Sequence, residues 1–234
     1  MQWAFLIAAA YLLGAVPFGW LLARGVRGVD VRTEGSGNIG ATNVLRVCGW
    51  RLGLVAFALD VLKGFAPAFW LAPLWFPPAA DPEAAAGAAA AAALAAVTGH
   101  TLPVYLRFKG GKGVATSAGA FLALAPAATG LALGAFLVLV LATRYVSVAS
   151  TGAAAAIVAA QHVLAADQAG GPYGAALPVT VLTWLVLVLV VVRHRSNYGR
   201  LLRGEENRIG AKRADAPDAP APEPDAPVGA GDGS

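Results

Sequence analysis

The chain has 234 residues, 58% of them hydrophobic and only 13% charged, with a mean hydropathy of +0.65. A soluble domain carries about a quarter of its residues as Asp, Glu, Lys and Arg, so a hydrated globular surface is excluded. The net charge of +4 does not point to nucleic acid. The one cysteine, Cys48, leaves no internal disulfide and reads as a packing residue.

The first apolar run, residues 3–23, is followed rather than preceded by basic residues, Arg24 and Arg27. A signal peptide has the reverse order. The run therefore reads as a retained first span with an external N-terminus. Next comes a polar segment from Ser36 to Arg46, S-G-N-I-G-A-T-N-V-L-R. Ser36, Asn38, Thr42 and Asn43 offer hydrogen bonds, and Gly35, Gly37 and Gly40 loosen the backbone. Arg46 can grip an oxyanion with two donors. A capped helix start is the plainer account, but it does not explain so dense a polar cluster.

A second span is expected over 52–74. It carries Asp60 and Lys63 at i, i+3. Ionisable residues inside a span are paired or functional, and a mutual ion pair shaping the site is preferred to a direct catalytic role. The third span, 83–102, is alanine-rich, which suits close helix packing. It leads to Lys109-Gly110-Gly111-Lys112-Gly113 and a helix through Thr116. Glycines let backbone N–H groups approach a ligand, a helix N-terminus favours an anion, and two lysines supply charge. A Walker A loop is excluded because Gly113 follows Lys112. Taken alone, the segment also fits a basic turn at the membrane interface.

Pro126 divides the next apolar stretch into short spans at 114–125 and 128–142. The turn Arg144-Tyr145-Val146-Ser147 and a sixth span over 147–165 follow, with Ser147 either donating to a ligand or capping a helix. His162 and Asp167 match the H-x-x-x-x-D pattern of many glycerolipid acyltransferases, but at the external end and without basic or glycine-rich companions. This match reads as a decoy. The seventh span, 177–192, runs into H-R-S-N-Y-G-R-L-L-R-G-E, from His194 to Glu205. If helical, His194, Asn197 and Arg200 share a face, and Glu205 is expected to pair with an arginine. Residues 214–234, rich in Ala, Pro, Asp and Gly, read as a disordered cytoplasmic tail beyond a membrane domain of residues 1–213.

The expectation is an all-α polytopic membrane protein, a seven-helix transmembrane bundle with two short spans, N-terminus external and C-terminus cytoplasmic. An unbroken helix across Pro126 would make six spans and put the third motif opposite the other two. Seven spans place every loop arginine and lysine on one side. The opposite segments hold Asp81 and Asp167 and no Lys or Arg.

The three motifs, with Gly99-His100, Pro103-Val104-Tyr105-Leu106 and Arg144-Tyr145-Val146-Ser147, resemble the bacterial acyl-phosphate:glycerol-3-phosphate acyltransferase (PlsY) family over the stretch from the first span to about Glu205. The resemblance implies a compact seven-helix bundle at the inner membrane with its active site facing the cytoplasm. It implies transfer of a fatty acyl group from acyl phosphate to the 1-hydroxyl of glycerol 3-phosphate, giving lysophosphatidate and phosphate in phospholipid biosynthesis. On this reading His194, Asn197, Lys112 and Ser36 are catalytic. Asn38, Gly40, Thr42, Asn43, Arg46, Lys109, Gly110, Gly111, Gly113, Thr116, Ser147, Arg200 and Glu205 bind substrate. The proton acceptor is the substrate's own phosphate, with His194 as second choice. No cofactor or metal is expected. The expected partners are acyl phosphate, glycerol 3-phosphate, membrane lipid and a contact with the enzyme that generates acyl phosphate. A phosphorylated-anion transporter is the competing reading, but its polar sites belong near the midplane and often in repeats; no repeat is found here.

Overall fold

The computed structural model describes residues 1–210, so the expected tail at 214–234 lies outside the described residues. Among the described residues every regular element is a helix. Helices α1 (Gln2–Ala15) and α2 (Phe18–Arg27) form one interrupted span, broken where Pro17 lacks a backbone donor. The short polar helix α3 (Ala41–Cys48) precedes α4 (Trp50–Ala66), which continues through a π-helical turn at Pro67–Leu71 into α5 (Ala72–Trp75). Pro67 and Pro73 remove two N–H groups from this stretch, a reason for its hydrogen-bond ladder to change register there. Then come α6 (Pro82–Thr101), α7 (Val114–Leu124), α8 (Pro126–Thr143), α9 (Val146–Leu164), α10 (Leu177–Arg193) and α11 (Arg195–Leu202).

Five helical segments are long and apolar enough to cross a bilayer: Gln2–Arg27, Trp50–Trp75, Pro82–Leu106, Pro126–Thr143 and Val146–Leu164. The other two expected spans correspond to α7, with 11 residues, and α10, with 17. Both fall short of the roughly 20 residues of a full crossing. The break at Pro126 is present: α7 ends at Leu124, Ala125 leaves helical geometry, and Pro126 opens α8, where its missing N–H costs nothing. A 50° bend at His194 separates α10 from α11.

The bundle is apolar on its outside as well as its inside. Helix α8 leaves Leu131, Leu137, Val138 and Leu141 exposed, as suits a lipid-facing helix, while Val97, Phe121, Ile157, Leu182, Val186 and Val190 are buried together. Apolar burial drives little helix association in lipid, so close packing of small residues matters more. Helices α4 and α7 illustrate it. A Cβ on Gly64 would sit 1.9 Å from the Thr116 carbonyl oxygen, and one on Gly119 would sit 1.9 Å from that of Val61. This contact fixes the start of α7, and with it the glycine-rich loop, against the middle of α4.

Gly119→Val therefore costs about 1–3 kcal/mol through overpacking and lowers the thermal midpoint in detergent. Gly134→Ala on the open side of α8, where a Cβ meets nothing within 4 Å, leaves the midpoint unchanged or raises it.

Candidate active site

Three polar segments meet at one end of the bundle around a cavity of about 150 Å³. The first is organised by Asn43. Its fully buried amide nitrogen donates to the carbonyls of Val31, Glu34 and Asn38 at 2.8, 3.0 and 2.9 Å, and its oxygen accepts the Ser36 N–H at 2.8 Å. The Asn38 side chain accepts the Gly40 N–H at 2.8 Å. Asn43 thus spends its amide holding the loop, while Ser36, Thr42 and Arg46 are left lining the cavity.

Arg193 shapes the second segment from α10. Its guanidinium donates to the Gly110 carbonyl at 2.8 Å and twice to that of Gly111, at 2.8 and 3.1 Å. Gly111 in turn donates its N–H to the His100 carbonyl at 3.0 Å. These two carbonyls lie four residues before Val114 and Ala115, so the first-turn N–H groups of α7 have no helical acceptor behind them. Val114 and Ala115 line the cavity beside Lys112 and Gly113. Gly111 admits no side chain, since a Cβ there would lie 2.0 Å from His100 Nε2. The Lys112 ammonium reaches across to Asn197 Oδ1 at 2.5 Å. Burial pulls its pKa down to about 8. Glu206 opposes that shift, and Arg200, Arg46 and Arg193 add to it.

The third segment brings His194, Asn197 and Arg200 to the same wall. His194 Nδ1 lies 2.8 Å from the Val190 carbonyl, which only accepts, so Nδ1 carries the proton and Nε2 is the free acceptor. At its place beyond the end of α10, burial and then the Lys112 charge push His194 down to about 4. Glu206 ties the wall together. Its carboxylate accepts from Asn197 Nδ2 at 2.6 Å, Ser147 Oγ at 3.0 Å and Arg200 Nε at 2.9 Å. A clamp delivers it: the Ile209 N–H donates to the Arg144 carbonyl at 2.9 Å, Arg144 Nε donates back to the Ile209 carbonyl at 3.1 Å, and Arg208 donates to the Tyr145 hydroxyl at 2.8 Å.

Asp60 and His100 also line the cavity; behind them Lys63 Nζ lies 2.8 Å from Asp60 Oδ1 and donates to the Val16 carbonyl at 2.8 Å, giving the expected ion pair. His100 Nδ1 lies 3.6 Å from the same carboxylate oxygen, a contact that sequence spacing did not reveal. Asn38, Gly40 and Asn43 line the cavity with the residues already named. Several expected residues stand elsewhere. Lys109 is exposed and outside the cavity, and Thr116 is buried at the α4–α7 contact. Gly110 and Gly111 engage Arg193 and His100 rather than the wall. Glu205 is exposed and paired with Arg203 at 2.7 Å, so the buried carboxylate is its neighbour Glu206. Two adjacent glutamates look alike in sequence, and only the Arg144–Ile209 clamp decides which one turns inward. His162 bonds to the Val158 carbonyl and the Tyr173 hydroxyl and lines neither this cavity nor the second one described below. Among the described residues no three His, Cys, Asp or Glu side chains gather as a metal site would need.

A second cavity, about 70 Å³ and almost wholly apolar, lies between α7, α8, α9 and α10. It shares Val114, Phe136 and Ser150 with the first. A cationic pocket therefore adjoins a cleft able to hold hydrocarbon.

A family model described as glycerol-3-phosphate acyltransferase matches residues 4–204. The chain belongs to the glycerol-3-phosphate acyltransferase family. Two relatives bearing that name are 47% identical over 206 residues in Syntrophotalea carbinolica, covering 88% of this chain and 97% of the relative, and 44% identical over 203 residues in Synechococcus elongatus, covering 87% and 92%. The fold is similar to crystal structures of PlsY (YgiH), an integral membrane glycerol 3-phosphate acyltransferase. Its glycerol 3-phosphate form gives a TM-score of 0.78 at 38% identity, and its lysophosphatidic acid form 0.76 at 37%; each comparison covers 90% of this chain and 96% of the other. Most of the cavity wall of this acyltransferase falls inside the matched stretch; Glu206 and Asn207 lie just past its end.

Removing Glu206 strands Arg200 and Asn197. Glu206→Ala is expected to destabilise the protein by about 2 kcal/mol, the scale of a lost hydrogen bond to a charged group, and to lower turnover. Glu205→Ala leaves both thermal midpoint and turnover at the starting values, as does His162→Ala for turnover; melting curves and rates on purified variants check all three.

Proposed function

We propose that this acyltransferase moves a fatty acyl group from acyl phosphate to the 1-hydroxyl of glycerol 3-phosphate, releasing lysophosphatidate and inorganic phosphate. The observation that carries the reading is the junction of a cationic pocket with an apolar cleft at Val114, Phe136 and Ser150. A phosphate joined directly to an acyl chain has that same division of polarity. Glycerol 3-phosphate as acceptor and lysophosphatidate as product are supported by the two ligand forms of the similar PlsY structures.

The donor's phosphate would sit at the N-terminus of α7, held by the N–H groups of Val114 and Ala115 and by Lys112. Ser36, Arg46, Arg200 and Asn197 would hold glycerol 3-phosphate, with Asn38, Gly40 and Thr42 shaping the wall around it. The hydroxyl oxygen attacks the acyl carbon, the bond from that carbon to the phosphate oxygen breaks, and the hydroxyl proton leaves on the departing phosphate. Acyl phosphate is a mixed anhydride, so orientation and charge stabilisation supply most of what the reaction needs. His194, a weak base, would accept the hydroxyl's hydrogen bond through Nε2 and aim it.

The reading extends to the membrane. Seven crossings, an external N-terminus and a cytoplasmic C-terminus at the bacterial inner membrane are supported by charge. Arg24, Arg27, Arg46, Arg51, Arg107, Lys109 and Arg144 lie in the segments around the cavity's end, while the opposite connections hold Asp81 and Asp167. Residues 1–213 would form the membrane domain and 214–234 a cytoplasmic tail.

The test is phosphate release by the purified protein given palmitoyl phosphate with and without glycerol 3-phosphate, with palmitoyl-CoA as a parallel donor. Release that needs both substrates, with lysophosphatidate appearing in step, is the expected outcome; acylation from palmitoyl-CoA alone would overturn the donor. Lys112 serves as a cation with a pKa of about 8. Its function is therefore present below that pH and lost above it, so kcat/KM for palmitoyl phosphate falls as pH rises through about 8. Lys112→Arg, cationic throughout, should move that limb to higher pH, and Lys112→Ala should abolish transfer.

A further inference from the structure

We propose that the Ser150 hydroxyl donates a hydrogen bond to the carbonyl oxygen of the acyl group and stabilises the negative charge that gathers there during transfer. The inference rests on the acyl-phosphate reading above and adds a residue to it.

The argument is geometric. In an acyl phosphate the carbonyl carbon is both the first atom of the chain and the atom bonded to the phosphate oxygen. With phosphate at the α7 N-terminus and hydrocarbon in the apolar cleft, the carbonyl must lie where the two spaces meet. Three residues line both: Val114, Phe136 and Ser150. Only Ser150 has a side chain that can donate.

Its condition in the structure agrees. Ser150 is 2% exposed, and its Oγ has no hydrogen-bond partner. A serine or threonine inside a helix commonly bonds back to the carbonyl four residues earlier. Thr151 does so with Ser147 at 3.0 Å, and Thr143 with Leu139 at 2.7 Å. Ser150 makes no such bond. Ser147, one helical turn before it on the same side of α9, is committed to Glu206. A buried hydroxyl left without a partner is unfavourable unless a ligand completes it. A carbonyl oxygen, which accepts only, is the group that does so at this junction.

The chemistry gives the hydroxyl its effect. As the glycerol 3-phosphate oxygen bonds to the acyl carbon, the carbonyl π electrons move onto oxygen. They return as the carbon–oxygen bond to phosphate breaks, and the hydroxyl proton leaves with that phosphate. A donor already aimed at the oxygen strengthens as charge builds.

The experiment compares the full-length protein with Ser150→Ala and Ser150→Thr in two readouts. The first is steady-state transfer from palmitoyl phosphate to glycerol 3-phosphate. The second is the infrared carbonyl band of bound, isotope-labelled palmitoyl phosphonate, a non-transferable analogue in which phosphorus is bonded directly to the carbonyl carbon in place of the bridging oxygen. Ser150→Ala should lower kcat by about 100-fold, the scale of one lost oxyanion donor, with KM for glycerol 3-phosphate unchanged, and should move the band to higher wavenumber. Ser150→Thr, which keeps the hydroxyl, should retain the low band and most of kcat. Unchanged kcat in Ser150→Ala, or a lowered kcat with an unmoved band, overturns the proposal. If the unsubstituted protein transferred nothing from palmitoyl phosphate, the donor assignment would fail and this role with it; normal transfer with an indifferent Ser150→Ala removes the serine's role alone.

Discussion

Irregular backbone next to a bilayer must find its hydrogen bonds within the protein, and the grip of Arg193 on Gly110 and Gly111 meets that demand. The loop between α6 and α7 needs glycine to pass His100, and glycine supplies no side chain to hold the turn. One guanidinium, reaching from α10, closes off two carbonyls at once. The turn then ends with the first N–H groups of α7 free and Lys112 directed at Asn197. The N-terminal end of α7 is thus set by a residue more than 80 positions away in the chain.

The same economy governs the other two loops. Asn43 satisfies three carbonyls and one N–H of the first segment from a single buried amide. Glu206 satisfies Asn197, Ser147 and Arg200 from a single buried carboxylate. Each hub uses up its own polar groups, and that leaves neighbouring side chains for a ligand. Cationic groups crowd the cavity, and the Glu206 carboxylate among them offsets part of their repulsion at Lys112. Burial and crowding still lower the Lys112 pKa to about 8. A substrate bearing phosphate would relieve that repulsion on binding.

Composition and motif spacing made the helical class, the break at Pro126 and the membership of the three polar segments readable in advance. The Asp60–Lys63 pair was also readable, because i, i+3 spacing on one helix is local geometry. The contact of His100 with Asp60 was not, since it joins α6 to α4. Asn43 lines the cavity as expected, but its role in holding the first loop was not readable, because nothing in the sequence says where an amide points. Thr116 followed the glycine motif closely enough to be counted with it, yet it is fully buried outside the cavity lining, with its backbone packed against Gly64.

Patterns along the chain therefore determined the class of protein, the approximate extent of its apolar segments and the chemistry of its motifs, because hydropathy and local spacing act through neighbouring residues. The tertiary structure alone decided that Glu206 rather than Glu205 turns inward, that Arg193 holds the loop, and that a polar cavity and an apolar cleft share Val114, Phe136 and Ser150. These depend on which helices touch and at what rotation. Close packing of small residues, as between Gly64 on α4 and Thr116 on α7, fixes that in three dimensions, where linear spacing carries no information.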